Sequence, residues 1–176
     1  MHATTMASSR PQPPMRMGAD AVAGAAIELA QPHAAGDLPL LVDGAPGTGR
    51  EFVARAVHYL GPRRHRPFVP LHCAGLQDGP HATALPALVR LAEGGTLFLD
   101  SVETLSACEQ EVLWRLVQAG SDPAVRWIAA TAVDLHAQAA AGAFHPALLH
   151  RLASSRIQLP PRAEPYAAQV RLYGRA

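Results

Sequence analysis

The octapeptide GAPGTGRE, Gly44 to Glu51, follows the apolar run Leu38–Val42. It leads into Arg50–Leu60, where Phe52, Val53, Ala56, Val57 and Leu60 recur at helical spacing. A short apolar run stopped by glycine is the pattern of a strand buried on both faces. Glycines between such a strand and a helix let the backbone turn sharply and direct its N–H groups inward. Strand, glycine turn and helix in that order point to a parallel α/β sheet, with the turn at the carboxyl end of a strand.

A turn lined with N–H groups and followed by a helix N-terminus favours phosphate oxygens. Loops of this kind normally carry a lysine that reaches the outer phosphates, then a Ser or Thr that holds magnesium. Here those positions are Arg50 and Glu51. Two readings stand side by side. One is a glycine-rich turn without a ligand. The other is a phosphate cradle made of Gly44, Ala45, Pro46, Gly47, Thr48, Gly49, Arg50 and Glu51, which the preceding strand favours. Arginine keeps the charge, but its planar fork is bulkier than an ammonium and contacts phosphate differently. Weakened binding is the expectation.

The rest of the chain alternates in the same way. Helices are expected over Ala19–Ala30, Cys108–Val117, Asp134–Gly142 and Pro146–Ala153. Strands are expected over Pro67–Leu71, Thr96–Leu99 (running into Asp100), Trp127–Thr131 and Ile157–Leu159. Such alternation implies a sheet covered on both faces. A length of 176 residues suits one domain, and 49% apolar against 5% aromatic residues leaves alanine and leucine to fill the core. A net charge of +1 gives no argument for nucleic acid. No apolar run is long enough to cross a bilayer, and MHATTMASSRPQPP lacks a signal peptide's apolar segment, so a cytoplasmic location is expected. Cys73 and Cys108 form no metal-ligand pattern and read as two buried thiols. His72 resembles half a metal site without a partner pair. Arg63-Arg64-His65-Arg66 reads as a solvated turn before a phosphate patch. Trp114 and Trp127 read as core or interface residues.

Several ordered motifs together resemble one family, the sigma-54 interaction domain, the AAA+ ATPase module of bacterial enhancer-binding transcription activators. Its loop is typically GESGTGKE, so Glu51 is ordinary there and Arg50 is the departure. Ala56, His58, Arg63, Pro67, Phe68, Val69, Cys73, Ala74 and Leu76 coincide with the family pattern without a gap. EGGTLFLD, Glu93 to Asp100, is similar to its Walker B strand. Leu105, Gln110, Leu113, Arg115 and Gln118 fall in register with the next helix. Ile128–Thr131 with Asp134-Leu135, then Phe144, Leu148, Arg151 and Leu152, and Leu159-Pro160-Pro161 continue the match. The resemblance implies a P-loop NTPase core of AAA+ type over 18–161, between a disordered segment 1–17 and a short tail 162–176. It implies ATP or ADP with Mg2+ as ligands, bound weakly, and Asp100 as the metal-holding carboxylate.

The departures carry their own implications. The family follows the Walker B Asp with a Glu that activates the attacking water. Here Ser101 stands in that place, and a hydroxyl is no carboxylate base near neutral pH. Glu103 is close in sequence but on a different bearing. The sensor asparagine is replaced by Ala132. Two arginines that reach a neighbour's nucleotide fall at His145 and Arg151, and Arg151 reads equally as a surface arginine or as that catalytic residue. The interval GLQDGPHATALPALVRLA lacks the GAFTGA loop that touches sigma-54, and only AGSDPA stands where a second insertion is expected. Neither a C-terminal helical lid nor a DNA-binding helix-turn-helix is recognised. The resemblance therefore implies a degenerate, poorly hydrolysing ATPase domain tied to transcription. The alternatives are a non-catalytic module that joins rings of an intact AAA+ homologue or of itself, and a remnant without a selected role.

Overall fold

A computed structural model describes residues 17–76, 84–119 and 125–160. The expected disordered segment, the tail 162–176 and the AGSDPA connection lie wholly or largely outside them, as does the middle of the GLQDGPHATALPALVRLA interval. Strands β1 (Leu40–Asp43), β2 (Phe68–His72), β3 (Thr96–Asp100), β4 (Arg126–Thr131) and β5 (Ser155–Gln158) form one sheet in the order β2-β3-β4-β1-β5, every pairing parallel. The helices are α1 (Met17–Ala34), α2 (Arg50–Leu60), α3 (Ala84–Leu91), α4 (Ala107–Ala119), α5 (Leu135–Ala140) and α6 (Pro146–Leu152).

Side chains alternate across each strand, and in the inner strands β1, β3 and β4 both sets are buried because helices cover both faces, while the edge strands β2 and β5 are only partly covered. Leu40, Val42, Phe98, Ile128, Ala130 and Ile157 pack with Ala26 and Ala30 of α1 and with Val53, Ala54 and Val57 of α2. Leu41, Leu97, Leu99, Trp127 and Ala129 face the other way, onto Leu113 and Val117 of α4, Leu135 of α5, and Leu148 and Leu152 of α6. The expected parallel α/β architecture is the observed one.

Several local expectations need correcting. β1 begins at Leu40 rather than Leu38, because Pro39 has no N–H to give a ladder and Leu38 is exposed. Helix α2 has the expected bounds, but its buried face is Val53, Ala54, Val57 and His58, leaving Phe52 and Leu60 exposed. Helix α3 was not expected. Pro86 lies in its first turn, where the missing N–H would be unsatisfied anyway. Of the two thiols only Cys73 is buried; Cys108 faces solvent from α4. Burial pushes the Cys73 thiol well above the usual range, so it is an inert core group.

Helix α1 runs past Pro32 to Ala34, beyond the expected Ala30. Its terminal carbonyls are held by the buried Arg126 guanidinium, with Nη1 donating to Ala34 O at 3.0 Å and Nη2 to His33 O. This arrangement satisfies acceptors that a helix end leaves open.

His58 is the buried titratable group of α2. Its Nδ1 lies 2.9 Å from Thr96 Oγ1, and its ring sits edge-on to Tyr59 and Phe68. Burial lowers its pKa below the usual 6.5; a backbone hydrogen bond at Arg66 opposes this in part, and the Arg126, Arg55 and Arg63 charges add to the lowering. The folded state therefore holds it neutral. As pH falls through the unfolded value the unfolded chain takes up the proton first, so stability is present above about pH 6.5 and lost below it. Urea midpoints measured at pH 7.5 and pH 5.5 should show the loss, and His58→Gln should flatten it. An equal pH slope in both proteins would assign the effect elsewhere.

Candidate functional site

The loop begins where β1 ends. Gly44 N–H donates to Thr131 O at 3.1 Å, which anchors the loop to the end of β4. Gly47 and Gly49 have φ of 80° and 93°, left-handed values that glycine adopts without strain. Gly49 is the N-cap of α2, and its O accepts from Val53 N–H at 3.0 Å. Thr48 closes the turn on itself: its N–H and Oγ1 both donate to Ala45 O, at 3.2 and 2.8 Å. Ala45 and Pro46 form the first half of that turn, and the free N–H groups of the α2 N-terminus lie at its end. The local chemistry is that of an anion cradle.

Arg50 does not extend into open solvent. Its side chain folds under the loop, only 11% exposed, and Nη1 donates to Gly44 O at 3.0 Å. Nη2 lies 3.1 Å from Asp100 Oδ1 and donates to Ser101 Oγ at 3.5 Å. The approach to Asp100 is that of an ion pair rather than an aligned hydrogen bond, since Oδ1 is buried without a hydrogen-bond donor. The other Asp100 oxygen lies 3.3 Å from His72 Nδ1, the residue opposite it in the β2–β3 register. Glu51 turns away to pair with Arg55 at 2.7 Å along the exposed side of α2.

A magnesium ion needs hard oxygen ligands and usually one or two carboxylates. Asp100 is the carboxylate in the right place, but a guanidinium already sits against it. A dication about 4 Å from that guanidinium would meet repulsion of order 4 kcal/mol per unit of its charge at an effective dielectric near 20. Glu51 is engaged elsewhere and Thr48 Oγ1 faces Ala45 O. The residues present do not fit the ion. Among the described residues no group of three or more His, Cys, Asp or Glu side chains could hold a metal.

At the end of β3 the chain turns abruptly. Ser101 has φ 60°, the only positive φ outside glycine among the described residues, and it is buried. Its O accepts from Thr104 N–H and Oγ1, at 3.0 and 2.8 Å, which closes a 3-10 turn over Val102–Thr104. That turn carries Glu103 back toward β4, where Oε1 accepts from Ala132 N–H at 3.2 Å. Its Oε2 is buried and has no partner among the described residues. Sequence reasoning passed over this link, and nothing in residue type or spacing marks it; it depends on the backbone reversal at Ser101. Ala132 contributes only its backbone, with no polar side chain beside the loop.

His145 caps α6: its Nδ1 accepts from Leu148 N–H at 3.1 Å, which leaves Nε2 to carry the ring proton. The ring lies 5.5 Å from Trp114. Arg151 is in the last turn of α6, and its guanidinium has no partner among the described residues. The structure thus brings Arg50, Asp100 and Ser101 together under the loop and leaves Glu51 and Arg151 outside that cluster.

Beside the loop, at the carboxyl ends of β4, β1 and β5, lies a cleft of about 430 Å³ whose lining includes Gly44, Ala45, Asp43, Asp134 and Arg156. Neither Asp100 nor Arg50 is among the residues lining this cleft. Asp43 accepts from Arg156 Nε at 2.6 Å, and this hydrogen bond raises the Arg156 pKa, so both charges are spent on each other. No helix among the described residues is long and apolar enough to cross a membrane.

The family model for the sigma-54 interaction domain matches residues 25–162. The Psp operon transcriptional activator of Escherichia coli K12 is 38% identical over 153 residues, covering 73% of this chain and 47% of that protein. The P-loop NTPase domain of the sigma-54 transport activator from E. coli superposes with a TM-score of 0.63 at 28% identity, covering 81% of this chain and 96% of that one. NtrX from Brucella abortus, solved in complex with ATP, gives a TM-score of 0.69 at 24% identity, covering 86% of this chain and 39% of that one, a likeness of fold alone. The chain spans less than half the length of the curated relatives it matches.

Proposed function

As the chain belongs to the sigma-54 interaction domain family, we propose that it is a transcription-regulatory module whose loop binds a nucleoside di- or triphosphate and does not hydrolyse it. The carrying observation is a contrast within one site. Gly47 and Gly49 keep the left-handed turns that open the α2 N-terminus. The position beside Asp100, where a water-activating carboxylate belongs, holds a buried serine. Binding uses backbone N–H groups and helix charge, which the sequence change leaves in place. Hydrolysis depends on positioned water and charge, which it removes.

Phosphate oxygens lie along the Gly47–Arg50 backbone in this reading, and Arg50 keeps donors beyond those used by Gly44, Asp100 and Ser101. The neighbouring cleft gives room for the rest of the ligand. Contact with sigma-54 through a GAFTGA loop is not part of the proposal, since the sequence holds no such motif. Its regulatory effect is proposed to run through a second AAA+ subunit, either a homologue or another copy, and Arg151, in the last turn of α6, is the side chain proposed to contact it.

The test is calorimetric titration with ADP and ATP, with melting temperature as a second readout. Dissociation constants of about 0.1–1 mM are expected, a binding free energy of roughly −5.5 to −4 kcal/mol. Ligand at ten times that constant stabilises by about 1.4 kcal/mol, a shift of roughly 3–6 °C for a chain of this size. Gly49→Val, which cannot hold the left-handed turn without strain, should abolish both signals. If neither nucleotide shifts the melting temperature at millimolar concentration, the loop is a structural turn.

A further inference from the structure

We infer that Arg50 is the built-in cation of this site, and that the loop takes its nucleoside phosphate free of divalent metal. The inference rests on the reading of the loop as a phosphate cradle, and goes beyond it by naming the ligand's ionic form.

The geometry gives Arg50 two attachments that a lysine in the same position could not make together. One guanidinium arm holds Gly44 O at 3.0 Å and the other reaches Asp100 at 3.1 Å and Ser101 Oγ at 3.5 Å. The planar fork therefore spans the root of the loop and the end of β3. A side chain 11% exposed, packed between these acceptors, occupies the flank where a metal ion bound to Asp100 would have to sit. His72 Nδ1, 3.3 Å from Asp100 Oδ2, takes up the remaining face of that carboxylate.

The other groups that could recruit a metal are diverted. Glu51 pairs with Arg55, Thr48 Oγ1 donates to Ala45 O, and Glu103 Oε1 accepts from Ala132 N–H. With Ser101 in place of a second carboxylate, Arg50 meets one carboxylate and one hydroxyl on this flank, at Asp100 and Ser101. Guanidinium carries five N–H donors, so the contacts to Gly44, Asp100 and Ser101 leave donors for a phosphate oxygen. Arg50 thus neutralises Asp100 and keeps donors for the ligand, so one side chain both fills the metal's flank and can offer phosphate a hydrogen bond.

Two measurements on the whole chain test this, and they fail independently. The first compares ADP affinity in excess magnesium with affinity in EDTA. Wild type should show a ratio within about twofold, and Arg50→Lys should bind at least about tenfold better with magnesium. A tenfold or larger magnesium preference in wild type would overturn the inference. The second uses Mn2+ alone, without nucleotide, and reads paramagnetic broadening of the Asp100 and Ser101 amide signals. Wild type should show none at concentrations that broaden these signals in Arg50→Lys and Arg50→Ala. Broadening in wild type at the same concentration, or none in either variant, would show that Arg50 is not what excludes the metal. If ADP binds no form under either condition while the Mn2+ contrast holds, the cradle reading fails and the exclusion of metal by Arg50 stands.

Discussion

Incubated with magnesium and ATP, the chain should release phosphate no faster than the buffer control. Three missing contributions make this the largest expected effect. A positioned general base is worth typically 10²–10⁴ in rate, and Ser101 is not one. Ala132 has no polar side chain to orient the reacting groups. Asp100, which would draw a metal ion to the outer phosphate, is paired with Arg50 at 3.1 Å. Ser101→Glu should not repair the defect alone. The new side chain's Cγ would take the place of Ser101 Oγ, 3.5 Å from Arg50 Nη2, so the carboxylate beyond it starts within reach of the guanidinium and should pair with that instead of water. The double variant Arg50→Lys with Ser101→Glu should regain more than either single change. A magnesium-dependent rate in the wild type that disappears in Asp100→Ala would refute the account.

The elements legible in the sequence share a physical cause. β3 and β4 read clearly because both of their faces are buried, so the apolar run is continuous at Leu97-Phe98-Leu99 and Ile128-Ala129-Ala130. Helix α2 was legible to the residue because its start is fixed by glycine turns and its end by Gly61. Where expectation failed, the deciding partner was distant. Helix α1 outruns Pro32 because Arg126, from a strand far along the chain, holds its last carbonyls. Helix α3 was hidden by Pro86, which reads as a breaker unless the helix start is known.

The site shows the same division. Residue types announced the loop and the serine beside Asp100. The direction of Arg50 did not follow from type, since an arginine there could point equally to ligand or to Asp100. The reversal at Ser101 and the Glu103–Ala132 link depend on a backbone conformation that serine seldom adopts, so no propensity argument reaches them.

Gly95→Ala should be among the most damaging single substitutions outside the loop, for reasons unrelated to chemistry at the site. Gly95 stands just before β3, and a Cβ added there would lie 2.1 Å from Pro67 O, 2.9 Å from Pro67 C and 3.0 Å from Pro67 N. All three are backbone atoms at the entrance of β2, so no side chain can swing aside. The same Pro67 O accepts from Thr96 N–H at 2.9 Å, the first link between β2 and β3. Gly95 O in turn accepts from Arg126 N–H at 3.0 Å and from Arg63 Nη1 at 3.2 Å. Moving Gly95 to relieve the clash would therefore loosen β2, β4 and the Arg63 turn together. Overpacking costs typically 1–3 kcal/mol, and a rigid backbone neighbour puts this case at about 3 or above. For a chain of this size that lowers the melting temperature by roughly 6–12 °C. Gly24→Ala in α1 is the control: its added Cβ meets nothing within 4 Å, and helix propensity should stabilise the chain by up to about 1 kcal/mol. Equal urea midpoints for Gly95→Ala and wild type would show that the close approach of Pro67 carries no cost. Because Gly95 lies at the opposite end of β3 from Asp100, the folded Gly95→Ala protein should keep the wild-type nucleotide affinity, while Gly49→Val loses it. That separation distinguishes a glycine retained because two backbones meet there from one retained because a phosphate does.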